Sequence, residues 1–320
     1  MREVINIHIG QTGTNIGTYS WKLFCIEHCI DRAGNQYSMN QYYPESDFKS
    51  FFAESTVLAS KQLMESDAVF AFDNESIVDI CQRNLGIEAK HLNVNKLIAH
   101  TISKITASIR KGEALNADLQ EIQTNHVPYP RINCLVCSNA PFIKETYSIN
   151  RNDEEQRTTA AISKAIFEPA NVMFKCNLNT GKYIACSMVY RGNVVPKDVE
   201  AACCYLKTKR TVQFIDWCPT EFKVGINLRA PEIFYKSPES DIARVQRSCM
   251  LIANHTSISD VWNIIATNFD ILFAQRTFVH HYVHDGIEES EFVDARNNLE
   301  EVQQDFDEII LKDLLNDDNF

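Results

Sequence analysis

Residues 207–227, KTKRTVQFIDWCPTEFKVGIN, decide the fold class. β-Branched and aromatic residues fill Thr211–Trp217 and again Phe222–Asn227, and Pro219 breaks the run between them, so the stretch predicts two strands joined by a turn. Working outward, the spacing predicts a helix over Lys197–Leu206, a strand over Lys182–Tyr190, a helix over Glu155–Ile166 and a strand over Ile132–Cys137. Toward the C-terminus come a strand over Cys249–Ala253 and three helices. The last of these repeats Phe292, Ala295, Leu299, Val302, Phe306 and Ile309 at helical spacing. Strands alternating with helices argue an α/β class.

In the N-terminal half, Leu97, Ile98, Thr101, Ile102, Ile105 and Ile109 recur at three and four. So wide an apolar stripe implies a helix buried against more than one neighbour. Before it are predicted a helix over Glu75–Leu85, with Ile77, Ile80 and Cys81 inward, and a strand over Ala68–Phe72. Leu58–Glu65 reads as a short helix and Asp31–Ser55 as loop. Ile5, Ile7 and Ile9 alternate with polar residues as a strand. A glycine turn follows, then a helix with Ile16, Tyr19, Leu23, Ile26 and Ile30 on one face.

The 320 residues are 45 % hydrophobic, enough for a sizeable core, and fit one large or two ordinary domains. No run is apolar enough for a membrane-spanning helix and no signal peptide opens the chain. The 11 cysteines are scattered through apolar segments, which suits reduced thiols in the cytosol. Asp285–Phe320 holds thirteen acidic residues against Arg296 and Lys312, so this segment carries the whole net charge of −11. A neutral body with an acidic end disfavours nucleic acid; the end either attracts basic proteins or serves as a solvated face.

Three constellations bear on chemistry. GQTGTNIG (10–17) lies between strand and helix, where Gly10 and Gly13 let backbone approach a phosphate and the helix start offers free N–H groups. The alternative is a turn that needs glycine for packing. The spacing is not that of a dinucleotide fingerprint. Cys134 and Cys137 form a CxxC, but three apart on a strand they face opposite sides, and buried thiols suit them better than zinc. His280 and His284 stand one helical turn apart without the HExxH arrangement, as expected of surface or interface histidines.

The stretch 207–227, with DNESIVDICQRNLGIE (73–88), EALNADLQEIQTNHVPYPRI (113–132) and FEPANVMFKCNLNTGKYIACSMVYRGNVVPKDV (167–199), resembles α-tubulin in order from about Ser66 to Ile310. MREVINIHIGQTGTNIGTYSWKLFCIEHCI (1–30) is similar to the start of that family. A long block that the family carries between about Val57 and Leu58 is absent. The resemblance implies a tubulin-like α/β fold. It would comprise a truncated Rossmann-like GTPase domain (1–73), the core helix with a second, intermediate α/β domain (74–255), and a C-terminal helical layer (256–320). With the intervening strands missing, Ala68–Phe72 is expected to pair with Arg2–Ile9.

The family binds GTP at the glycine turn, which places Gln11, Thr12 and Asn15 at the nucleotide. It also places Asn74 at the ribose or base, Asn95 at the base, and His91 near the position that stacks on guanine; helix capping is the alternative reading of the two asparagines. The second glycine-dense loop and the acidic residue that orders Mg²⁺ belong to the absent block, and no two of the ten glycines here are adjacent. GTP is therefore expected to bind weakly or not at all. Glu121 matches the family glutamate that activates water beside the GTP of the next β-subunit, with Asn116 and Asp118 shaping that contact. The long loop LRAPEIFYKSPESDIAR (228–244) and Glu121 itself are α-type features.

By resemblance, then, the chain is a structural constituent of the microtubule cytoskeleton in the cytoplasm. It would pair with β-tubulin, join the microtubule polymer and meet motors and microtubule-associated proteins through its acidic terminal helix, with no nucleic-acid or membrane partner. The alternatives are a non-polymerising tubulin-like protein that binds β-tubulin, or the product of an incomplete gene model. An independent nucleotide enzyme is a third class.

Overall fold

The computed structural model describes residues 6–28, 30, 66–110, 114–115, 119–143, 158–209, 212–218, 221–228, 230–231, 242–243 and 245–317. In chain order the elements are α1 (Gly10–Glu27), β1 (Val69–Ala71), α2 (Asn74–Ile80, continued by a π turn Cys81–Leu85), α3 (His91–Ile105), α4 (Ala107–Arg110), β2 (Ala114–Leu115), α5 (Leu119–His126), β3 (Cys134–Ala140), α6 (Thr159–Ala165), β4 (Tyr183–Gly192), α7 (Pro196–Lys209), β5 (Lys223–Asn227), β6 (Arg247–His255), α8 (Ile258–Ala274), α9 (Val279–His284) and α10 (Glu289–Asp317).

The strands form one mixed sheet in the order β1-β3-β6-β4-β5-β2. β1 and β3 are parallel, as are β4 and β5; β6 runs antiparallel to both β3 and β4. Every residue of β3 is buried, as expected of a strand covered on both faces. On one face Cys134, Val136, Cys186, Tyr190 and Leu251 pack with Ile162, Leu206 and Phe306 from α6, α7 and α10. On the other, Leu135, Cys137, Val189, Met250 and Ile252 pack with Ile105 of α3 and Ile122 of α5. Cys134 and Cys137 thus face opposite sides, as their spacing predicts.

α3 is buried almost all round, from Val94 to Ile105. α1 lies along it: Ile16 joins the cluster of Val94, Leu97 and Ile98, while Leu23 packs on Ala99. Their far ends are tied by charge. Ser103 Oγ donates to Glu27 Oε1 at 2.8 Å, Arg110 pairs with Glu27 Oε2, and Arg191 Nη2 approaches Oε1 at 3.4 Å. α1 and α3 therefore run in the same sense, with Gly10 and His91 at the same end. Gly192, at φ 97°, comes so close to Gln246 that an added Cβ would lie 1.9 Å from that carbonyl oxygen, a turn open only to glycine.

Several expectations fail locally. Asn6–Ile9 are in no strand, and Ile7 and Ile9 are more than half exposed. β1 pairs with β3, and the described residues Asn6–Ile9 do not pair with it; residues 1–5 of the expected partner lie outside the described set. No turn precedes α1, because helix begins at Gly10 itself. Of the strand expected over Thr211–Trp217, the described residues 212–217 form none: Phe214 makes a single bridge to Tyr183 before the chain turns, Cys218 N donating to Ile215 O. Asp31–Ser55 and Leu58–Glu65 lie outside the described residues.

Candidate functional site

The residues singled out in the sequence fall into two groups. Gln11, Thr12 and Asn15 are all exposed on the first turns of α1. Gly10 adopts φ 70° with open space where a Cβ would stand. No side chain caps this helix and no acid lies in its first turn, so its free N–H groups meet no negative charge from the helix itself. That end fits an anion. Gly13 has only ordinary contact at its missing Cβ, whereas a Cβ at Gly17 would lie 2.5 Å from the exposed His8 ring, which would have to move aside.

Asn74 opens α2 and is exposed; the cap of that helix is Asp73, whose carboxylate accepts from Glu75 N at 3.2 Å. Capping therefore does not explain Asn74. Asn95 is half-buried one turn into α3, and His91, its first residue, is exposed. Ile77 of α2 shares a cluster with Ile16 of α1 and Val94 of α3. Helix packing thus brings Gln11, Thr12, Asn15, Asn74 and Asn95 to one end of the bundle.

Glu121 stands at the other end. α5 is anchored by Ile122, which packs with Ile105 at the C-terminal end of α3, and by His126, whose Nδ1 and Nε2 lie 2.8 and 3.2 Å from the carbonyls of Ile122 and Ile252. Burial pushes the His126 pKa down, partly offset by those two carbonyls, and the ring's contacts are structural. With those residues inward, Glu121 projects to solvent. Asn116 and Asp118 lie outside the described residues. The 15 residues of α3 separate the two groups by about 20 Å. One chain cannot bring Glu121 to a nucleotide at its own α1.

A cleft of about 970 Å³ opens beside α5, bounded by Gln123, Thr124, Val127 and Arg131. A cavity of about 350 Å³ is bounded by Tyr129, Arg131, Asp305 and Lys312, between α10 and the segment before β3. Among the described residues no group of acids, histidines and cysteines could hold a metal ion. His280 and His284 are both exposed on α9. No helix among the described residues is long and apolar enough to cross a membrane.

Sequence reasoning missed one cluster: Glu27, His100, Lys104, Arg110, Asn139 and Arg191, all buried between α1, α3, α4 and the sheet. Its signal was present in outline. A stripe wide enough to be buried all round leaves no exit for Lys104.

The mixed sheet covered by helices on both faces defines an α/β protein, and comparison with known proteins names its family. Residues 130–267 match the Tubulin C-terminal domain. The chain is 42 % identical over 311 residues to the tubulin alpha-3 chain of Zea mays, which takes in 96 % of this chain and 66 % of that relative. The chain belongs to the tubulin family, and within it is α-tubulin-like. It spans about two thirds of the length of the curated relative it matches.

Proposed function

We propose that the chain is an α-tubulin-like structural subunit of the microtubule cytoskeleton, pairing with β-tubulin and supplying Glu121 to the GTP of an adjacent β-subunit. The observation that carries this reading is the placement of the two groups at opposite ends of α3. Residues that cannot meet within one chain complete a site only when subunits stack head to tail. A carboxylate exposed on an anchored helix suits water positioning at a neighbour's phosphate. The terminal helices add support: Ile264, Ile271, Leu272, Phe278, Tyr282 and Val293 are exposed on α8 to α10, more apolar surface than a free-standing helix layer needs.

The chain's own nucleotide is held by less. Gln11, Thr12, Asn15 and the α1 start would take phosphate, with Asn74 and Asn95 toward ribose and base. Mg²⁺ would have to come with the nucleotide, since the described residues supply no ligand cluster. A non-polymerising protein that binds β-tubulin is the second reading, favoured by the third of the relative's length that this chain does not span.

The deciding experiment copolymerises the chain with β-tubulin. Incorporation into pelletable polymer is expected, with GTP hydrolysis slowed by roughly 10²–10⁴-fold in Glu121→Ala and nucleotide content unchanged. Binding to β-tubulin without pelleting would establish the second reading. Incorporation with unaltered hydrolysis in Glu121→Ala would remove the catalytic role.

A further inference from the structure

α3 carries two nitrogen bases one turn apart, His100 and Lys104, 8 % and 7 % exposed. Beneath them three adjacent strands present polar side chains to the same side. Asn139 of β3 is opposite Met250 of β6, and Ser248 of β6 is opposite Arg191 of β4. Directly opposed residues, and residues two apart on one strand, share a face. This is the face whose apolar members Cys137, Val189 and Met250 pack with Ile105 of α3.

The polar atoms there are short of partners. Lys104 Nζ donates to Asn139 Oδ1 at 3.3 Å, its one hydrogen bond among the described residues. Arg191 Nε and Nη1 and Ser248 Oγ, in residues 1 % exposed, have none. Charge is short as well. The described carboxylate of this cluster is Glu27 on α1, already engaged by Arg110 of α4 and Arg191 of β4. Burial, with the Arg191 charge second and a small opposing effect of Cys249 on β6, pushes the Lys104 pKa down to about 7. Burial and Lys104 push His100 down to about 3, so its imidazole adds no charge at neutral pH.

His100, Lys104 and Asn139 border a cavity of about 30 Å³ that Leu97, Phe142 and Val245 also line. A water needs roughly 10–15 Å³ measured this way, so the space suits a ligand of roughly two or three heavy atoms and no larger organic molecule. We propose that Lys104 is a site of reversible carbamate formation, its amine taking up carbon dioxide in this cavity and the new carboxylate offsetting the charge of the neighbouring Arg191. The Nζ lone pair forms a bond to the carbon of CO₂. One C–O π bond breaks, its electrons becoming the carboxylate charge, and Nζ releases a proton to solvent. Nothing is oxidised or reduced, and acid returns the amine and CO₂. The product places a negative charge where the described groups leave an excess of positive charge, which a protonated Lys104 would only increase.

The test equilibrates the purified full-length chain with carbon-13 bicarbonate at about pH 8 and about pH 6, either side of the Lys104 value of about 7. A carbonyl resonance is expected in the wild type, stronger at the higher pH for equal dissolved CO₂, and absent from Lys104→Met and Lys104→Arg. Signal from the α-amino terminus is common to all three chains and subtracts out. The thermal midpoint of the wild type is expected to rise with bicarbonate and that of Lys104→Met to stay fixed. Met preserves length and removes the buried charge, and cooperative melting certifies its fold. Identical spectra for a folded wild type and a folded Lys104→Met overturn the proposal. So does an equal rise in midpoint with chloride at matched ionic strength, which reassigns the cluster as a simple anion site.

Discussion

Glu27 and Arg110, 83 residues apart, form an ion pair in which both side chains are fully buried. Arg110 also donates from Nη2 to Ser103 O at 2.7 Å and Oγ at 2.9 Å, and its guanidinium lies 4.4 Å from the Phe24 ring centroid. Every polar edge of the pair is thereby used, the condition under which a buried pair holds together. Glu27→Ala strands both Arg110 and Arg191. Its expected cost is about 3–5 kcal/mol, read as a lower urea midpoint with an unchanged slope. A variant as stable as the wild type would mean that the guanidinium groups find another acceptor.

Lys104 brings a pH dependence whose sign is fixed. Its folded pKa of about 7 lies below the ordinary 10.5. Between those values the unfolded chain holds a proton that the folded chain lacks, so stability rises with pH across that window, and the burial cost is fully present below about pH 7. In CO₂-free buffer, Lys104→Met is expected to be several kcal/mol more stable at about pH 6, converging on the wild type near pH 10. His100, lowered from 6.5 to about 3, has the same sign at lower pH. His100→Gln should flatten the acid limb between those values. Urea unfolding across pH measures both, and curves parallel to the wild type would contradict the assignment.

Gly192 sits between β4 and the return of the chain toward α7. Gly192→Ala has to hold φ 97° and place a methyl 1.9 Å from Gln246 O. The strain alone is worth about 1–3 kcal/mol, with the displaced strand end added. A thermal midpoint unchanged by the substitution would show that the turn opens freely.

The outer face of α10 carries the acidic charge. Glu300, Glu301, Asp307 and Glu308 are exposed, but Glu300 pairs with Arg296 at 3.9 Å, Glu301 with Arg131 at 2.7 Å and Glu308 with Lys312 at 3.0 Å. Charge reversal at Asp307 is therefore the cleaner probe of basic partners. Slower association that recovers none of its salt dependence is expected, since exposed charges act mainly on encounter. Unaltered kinetics would assign the strip to solvation.

What was legible in the sequence is what one element determines by itself. The α3 stripe announced burial on several sides, and the CxxC spacing announced two faces. Phe306 and Ile309 announced the inward side of α10, although Ala295 of the same series is exposed. The alternation of Ile7 and Ile9 failed because a strand exists only with a partner, and none stands beside Asn6–Ile9 among the described residues. The strand expected at Thr211–Trp217 is reduced to one bridge over the described residues 212–217, where Asp216 N instead donates to Asp313 Oδ1 of α10, 97 residues on. The buried cluster was illegible for the same reason: Glu27, Lys104, Asn139 and Arg191 meet only through the packing of α1, α3 and the sheet.

The clasp at Glu27 also gives α1 a mechanical character. The helix is pinned at its last residue, buried over its second half and exposed over its first turns. An 18-residue helix is about 27 Å long, so a tilt of about 5° at the clasp swings Gly10 by roughly 2 Å. Whatever seats against Gln11 and Thr12 pushes on the long arm of a lever whose fulcrum is a salt bridge, and the short arm ends at the sheet through Arg191.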